Sequence, residues 1–437
     1  MASSFADALK SDDLRSRVAW VFIGLAIFVL TVHIGMPGVN KDVWNALLNK
    51  GELFRFLGMF TGGALNNFSV AAMGITPYIN ASIIMQLLTV VLPQLKDLQK
   101  EGGEQGRKQI GAYTRQLTLG LAVLQALFMT VALARYSGNG GGVFTMTGIG
   151  FYVMVVIALV TGTMFLMWLG ELMTDKGIGN GVSMIIFGGI VLRFPNYLMD
   201  SLRVANVQGA AYYISLVIFF LILIALVAGI VYIHLGIRKI PIQYPRRQVG
   251  TKMYGGHSSY LPIRVNNAGV ISIIFAISIM YMPNTVAQIM NLVWGSSHPG
   301  VAAFATNIET IFAPRGVFYN LCYAALVIFF TYFYSAITFN VNDVADNLKK
   351  SGGFVPGIRP GRPTAEYLEK VFSRTTFISA IFLALLAVAP TYIMQLTKVN
   401  TFFLGSTSLL IIVGVALDAM QQIQARLTMR KYQGFMK

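Results

Sequence analysis

Ten apolar runs, most of them near twenty residues long, follow one another along the chain, separated by polar or glycine-rich stretches. A run of that length crosses the roughly 30 Å hydrocarbon core of a bilayer as an α-helix. The runs are Val18–Ile34, Val70–Leu92, Gln116–Ala134, Phe151–Leu172, Asn180–Leu192, Tyr212–Leu235, Ala268–Val293, Val317–Phe339, Phe377–Met394 and Phe402–Gln422. A membrane β-barrel would show alternating segments of about ten residues instead. Two runs are irregular. The fifth is short and rich in glycine. The second follows Gly62-Gly63 and Asn66-Asn67, begins with Gly74 and Pro77, and only then reads as a clean apolar helix.

Composition agrees with this reading. Of 437 residues, 55% are hydrophobic and 11% charged, against about 25% charged in soluble domains. The pattern predicts an all-α membrane protein. Lys and Arg set its orientation. With the tails and the even-numbered loops on one side, that side carries 25 of the 33 basic residues and the other side 8. The basic side is cytoplasmic, so both termini are expected inside. Ten helices divide into two halves of five, 1–192 and 193–437. An odd number per half makes any relation between them an inverted one. The polar start and the absence of a small-residue cleavage site mark the first run as a retained span. Two cytoplasmic loops are long, His234 to Asn266 and Asn340 to Thr376.

Reactive chemistry is sparse. Cys322 is the single cysteine, and His33, His234, His257 and His298 lack metal-ligand spacing. Gly177-Ile178-Gly179-Asn180-Gly181 has no preceding strand and no following Lys-Ser/Thr, so it does not read as a phosphate loop. A coupled transporter usually keeps an ionisable residue near the bilayer centre. Glu171 and Asp418 lie near cytoplasmic helix ends instead. The two candidate classes are a passive channel and a small-solute transporter, and the lack of a central coupling residue favours the channel.

Irregular backbone at membrane depth survives only inside protein or a watery cavity. The stretch Leu53 to Leu65 is therefore either a short element folded back from outside or an apolar loop lying on the outer surface. Ile75, Ile79 and Ile83 share one helix face, as do Val182 and Ile186. Such stripes suit ordinary helix packing. A ring of them also closes a pore, because a narrow apolar constriction dewets. Gly62 and Gly63 suit a hinge or a simple turn. Asn80 suits a pore or gate surface, or a bond to a neighbouring helix.

The stretches GITPYINASIIMQLLTVVLP, KEGGEQGRKQIGAYTR, TGTMFLMWLGELMTDKGIGNGVSMIIFGGIV, DVADNLKKSGGFVPGIRPG and GSTSLLIIVGVALD carry a resemblance to the SecY/Sec61-alpha family over nearly the whole chain. The resemblance implies ten transmembrane helices in two pseudo-symmetric inverted halves around a central hourglass pore. It implies a protein-conducting channel subunit rather than an enzyme, with no cofactor and no metal. Unfolded secretory polypeptides would cross the bacterial cytoplasmic membrane through it, and signal sequences and transmembrane segments would leave sideways into lipid. Matching motif positions gives a pore ring of Ile75, Ile79, Val182, Ile186, Ile274 and Ile411. It gives a plug of Leu57, Gly58, Met59, Phe60, Thr61, Gly62, Gly63, Ala64, Leu65, Asn66 and Asn67. The lateral gate falls at Asn80, Ile83, Ser278 and Met282. The chain departs from the family pattern at Val182, Thr251 and Ser272, where isoleucine, a second basic residue and proline are common.

The long cytoplasmic loops contain "YPRRQVGTKMY" and "GIRPG". The resemblance implies that Arg238, Lys239, Arg246, Arg247, Lys252, Lys349, Lys350, Arg359 and Arg362 dock the motor ATPase SecA and the translating ribosome. Lys and Arg suit RNA phosphates. SecE and SecG subunits, signal peptides and nascent chains, and the lipid bilayer complete the implied partners.

Overall fold

The computed structural model describes residues 12–50, 61–100, 102–135, 137–138, 141–146, 148–244, 247–249, 252–254, 258–269, 271–294, 298–313, 316–399 and 406–435. Its helices are α1 (Asp12–His33), α2 (Lys41–Lys50), α3 (Thr76–Val91), α4 (Pro93–Lys100), α5 (Gly103–Arg135), α6 (Ile149–Lys176), α7 (Gly181–Gln208), α8 (Ala210–Leu235), α9 (Ile271–Trp294), α10 (Pro299–Ile311), α11 (Val317–Thr338), α12 (Val341–Lys350), α13 (Arg362–Thr397) and α14 (Ser406–Phe435). Among the described residues, eight of these are long and apolar enough to span a membrane. The pair α3 and α4, bent by 102°, makes a ninth, and α9 with its shorter apolar stretch makes the tenth. All ten expected runs therefore form helices.

Hydropathy marks where a helix enters the membrane, not where it ends. Thus α5 begins at Gly103, well before Gln116, and its polar first turns hold a Glu104–Lys108 pair at 3.0 Å. Likewise α13 starts at Arg362 and runs 36 residues, about 54 Å at 1.5 Å per residue. The fifth helix is not short. It passes Leu192 and Pro195 and ends at Gln208. The proline forfeits one backbone hydrogen bond, while Tyr197, Leu198 and Val204 pack on the core and hold the axis. A boundary between halves after Leu192 would fall inside this helix. The chain breaks instead at Gly209, with φ +81°. At the other end of α3, Leu92 is extended before Pro93, because proline disfavours helical backbone at the preceding residue.

One large cluster of buried apolar side chains draws on α1, α3, α6–α9, α11, α13 and α14. The helix α8 is 17% buried across its apolar window and α14 50%. The first is a lipid-facing wall and the second a central post. Across the halves, α14 and α8 pack against α7, and α9 packs against α5.

The two long loops expected on the cytoplasmic side fold together, an arrangement that the run pattern does not foretell. Apart from the two-residue pair β1 (Ser137–Gly138) and β2 (Gly141–Gly142), strand β3 (Ile237–Gln243) pairs antiparallel with β6 (Ser258–Arg264), and β4 (Arg247–Val249) with β5 (Lys252–Tyr254). Ile240, Ile242 and Ile263 of this ribbon share a core with Ala345, Leu348, Val355, Leu368 and Phe372. Gln243 and Phe354 exchange backbone hydrogen bonds at 2.9 and 3.0 Å, stitching one loop to the other. Helix α12 is capped by Asn340, whose side chain accepts from the Asn342 and Asp343 amides.

Gly162 of α6 lies against the chain that leads into α3. A β-carbon there would sit 2.0 Å from the Val70 carbonyl oxygen. Gly162→Val should destabilise the protein by about 1–3 kcal/mol, read as a lower thermal midpoint of the detergent-solubilised protein. An unchanged midpoint would mean that Val70 is not held against α6.

Candidate functional site

The segment 61–75 has no regular secondary structure, yet much of it is buried. Ala64, Leu65, Phe68, Ser69 and Ala71 are all nearly inaccessible. Its backbone groups find partners locally and across to the end of α1. The amides of Ala64, Asn67 and Ser69 donate to the carbonyls of Thr61, Gly63 and Ala64 at 3.1, 3.1 and 2.8 Å. The Met36 amide donates to Phe68 O at 2.9 Å, and the Val70 amide to Ile34 O at 3.1 Å. Trp44 of α2, itself buried, donates its indole N–H to Leu65 O at 2.8 Å and meets the Phe68 ring edge-on at 4.9 Å.

Glycine permits this path at a few positions. Gly62 and Gly63 take φ of +62° and +95°, the left-handed region that favours glycine. Gly74 takes +57°, and a β-carbon there would meet Thr61 at 2.9 Å. Pro77 then sits in the first turn of α3, where its missing amide costs nothing.

The six expected ring residues all fall in or against the large apolar cluster. Ile75, Ile186 and Ile411 are buried members of the central cluster, and Ile79, Val182 and Ile274 pack against it half-buried. They come from α3, α7, α9 and α14, apart from Ile75 at the cap of α3. On α7 the residues 182, 186, 189 and 193 follow one face. A β-carbon at Gly62 would lie 2.9 Å from the Gly189 α-carbon, and one at Gly63 would lie 2.9 Å from the Arg193 guanidinium. The irregular segment thus rests on the α7 stripe, outward of Ile186. Of the expected plug, Thr61–Leu65 is buried, Asn66 half-buried and Asn67 exposed. Leu57, Gly58, Met59 and Phe60 lie outside the described residues.

Of the expected gate, Ile83 is buried in the central cluster, which also includes Met280 of α9. Asn80 and Ser278 are half-buried, and Met282 is 65% exposed. The motif GIGNG is structural. Asn180 caps α7, accepting from the Val182 and Ser183 amides at 3.0 and 3.2 Å. The Gly179 amide donates to Gln422 of α14 at 2.8 Å, and Arg17 donates to Gly177 O at 3.4 Å. The two carboxylates weighed for coupling have partners. Glu171 pairs with Arg115 at 2.9 Å, and Asp418 lies 3.4 Å from His234.

The expected docking residues ride on the module formed by the two long loops. Arg238, Lys239, Lys349, Lys350, Arg359 and Arg362 are exposed. Lys239 stands 4.8 Å over the Tyr260 ring, and Arg362 pairs with Glu366 at 3.3 Å. Arg247 lies on β4 and Lys252 on β5. Arg246 lies outside the described residues. Gly189, Arg193 and Trp44 escape sequence reasoning. Their only signals are their spacing from Ile186 and a lone tryptophan in an outer loop.

Comparison with known proteins decides the family. The SecY family model matches residues 69–420. The chain belongs to the SecY family. It is 42% identical to the protein translocase subunit SecY of Thermotoga maritima, over 100% of this chain and 98% of that one. It is 42% identical to the same subunit of Escherichia coli K12, over 97% and 94%. Three solved structures share the fold. A protein-conducting channel superposes with TM-score 0.63 at 18% identity, covering 94% of this chain and 92% of that one. A SecY structure, described as showing that the plug domain stabilises the closed state and maintains a membrane seal, gives 0.62 at 17%, with the same coverage. The canine Sec61 channel in its ribosome complex gives 0.59 at 17%, again with the same coverage. A SecY protein is a protein-conducting channel subunit, not an enzyme. The fold is the ten-helix channel fold in two halves, and the chain is a multi-pass membrane protein.

Trp44→Phe keeps the ring but removes the donor to Leu65 O. A buried carbonyl left unpaired costs about 1–3 kcal/mol. Amide hydrogen exchange in 61–69 should accelerate by roughly tenfold or more. Unchanged exchange would show that Trp44 does not restrain the segment.

Proposed function

We propose that Ile75, Ile79, Val182, Ile186, Ile274 and Ile411 form the constriction through which unfolded secretory polypeptides pass. The observation that supports this reading is that the buried segment 61–67 packs on α7 at Gly189 and Arg193, the helix face that also carries Val182 and Ile186, while all six residues lie in or against the central apolar cluster. A ring of aliphatic side chains offers no hydrogen bonds, so it binds no particular sequence and sheds water when narrow. It yields around any chain and closes behind it. The segment 57–67 is the plug. Its first part leaves the pore, while α3 stays as wall.

Asn80, Ile83, Ser278 and Met282 line the lateral gate, where an apolar signal helix docks and passes into lipid. The halves are helices one to five and six to ten, meeting at the Gly209 turn. The 25 basic residues on one side put both termini in the cytoplasm, and the bacterial relatives point to the cytoplasmic membrane.

The exposed Arg238, Lys239, Lys349, Lys350, Arg359 and Arg362, with Arg246, Arg247 and Lys252 in the same loops, dock the ribosome and SecA. SecE and SecG complete the membrane complex. No cofactor is required. Work comes from SecA, from chain elongation or from the membrane potential.

The deciding experiment uses the single cysteine. Cys322→Ser removes it, Ile79→Cys replaces it, and a ribosome-stalled secretory chain with one cysteine is trapped in the channel. A disulfide between the two that needs a working signal sequence supports the ring. Its absence, with insertion confirmed independently, places the passage elsewhere. Ile411→Asn should relax discrimination against defective signal sequences, read as export of a signal-mutant reporter. Parental strictness would remove Ile411 from the ring. Arg359→Glu should impair SecA-driven export in inverted vesicles, and normal export would remove Arg359 from the docking surface.

A further inference from the structure

The face of α7 changes character along its length. It is aliphatic at Val182 and Ile186, bare at Gly189 and cationic at Arg193, and then polar through Asn196 and Asp200. An arginine in a spanning helix is costly unless it faces protein or water. Arg193 is half-buried, and among the described residues no carboxylate pairs with it. Arg203, nearly three turns further along α7, has Asp200 at 3.6 Å. Arg193 points instead at the irregular segment. Its Nη2 lies 2.9 Å from where a Gly63 β-carbon would stand, so the planar guanidinium lies against bare backbone. Asn66 of the same segment and Arg193 line one cleft of about 490 Å³ with Asn196, Asp200 and Arg203.

We propose that Arg193 is the latch that seats the plug on α7, a positioning residue for the closed channel. The inference rests on reading 57–67 as the plug. Two features fit together. Gly63, at φ +95°, has the conformation and the missing side chain that let the guanidinium approach. Gly189, one turn inward, lets Gly62 approach in the same way. Arg193 lies seven residues beyond Ile186, about 10 Å outward along the helix. It therefore holds the segment on the outer side of the ring. Opening requires that this contact be broken, and the freed guanidinium then has the polar cleft and water for company rather than lipid.

The test is resting halide leak through the full channel complex reconstituted in liposomes, with four variants. Arg193→Ala is expected to raise resting leak about tenfold, the ratio that about 1.4 kcal/mol of lost seating would give. Arg193→Lys, which keeps the charge, should leak less than the alanine variant. Arg203→Ala should match the parent, and deletion of 57–67 should leak most. If the deletion leaks while Arg193→Ala stays tight, the latch is wrong and the plug reading survives. If the deletion is also tight, the plug reading itself fails and the latch with it. A lower thermal midpoint for Arg193→Ala with no added leak assigns Arg193 a merely structural part and overturns the proposal. An equal leak from Arg203→Ala does the same, since any lost surface charge would then suffice.

Discussion

Unpaired backbone is the constraint on which this molecule is built. A chain at membrane depth without helix or sheet must find a partner for each amide and carbonyl, or stay out of the bilayer. The segment 61–75 meets that demand with tight internal turns, a short antiparallel pairing of Gly35 with Ser69, and an indole from α2. Once these bonds are made, the chain can enter from outside, stop halfway and begin α3 in the interior. Everything central to the channel follows from where α3 begins. Ile75 and Ile79 fall at the inner edge of the segment because the helix starts there.

The same constraint separates the two halves of the task. Sealing uses packing, which asks only for volume and apolarity. The proposed ring is isoleucine and valine, and the segment 61–75 carries no charged side chain. The proposed docking residues are charged, and they are exposed on the module built from the two long loops, where water screens them. Glu171 and Asp418 are taken up in pairs at the cytoplasmic helix ends. The helices between are free to be a passive wall.

Much of this was legible in the sequence because a membrane makes helices easy to read. Apolar length alone located all ten spans, and glycine with proline at 74 and 77 flagged the late start of α3. Helix ends outside the membrane were not legible. Hydropathy falls at the interface, whereas the hydrogen-bond ladder of α5, α7 and α13 continues into water. Leu192 was a natural stop by polarity, since Arg193 and Pro195 follow, but tertiary packing of Tyr197, Leu198 and Val204 overrides both. The joint core of the two cytoplasmic loops was hidden for another reason. Ile240, Leu348 and Leu368 are far apart in sequence, and short strands carry no strong period. The contact of Arg193 with Gly63 joins residues 130 positions apart, and no local pattern announces it.

The module built from the two long loops has little slack at three of its four joints with the spans, the exception being the six residues between β6 and α9. Gly236 alone separates α8 from β3, Phe339 and Asn340 separate α11 from α12, and α13 passes from Arg362 into the bilayer without a break. Three stiff struts therefore share one small base. A push applied at Arg359 or Lys349 is not absorbed by a soft tether. It reaches α8, α11 and α13 together, as a lever arm delivers torque to its axle. A load on this module therefore meets three spans of the second half at once.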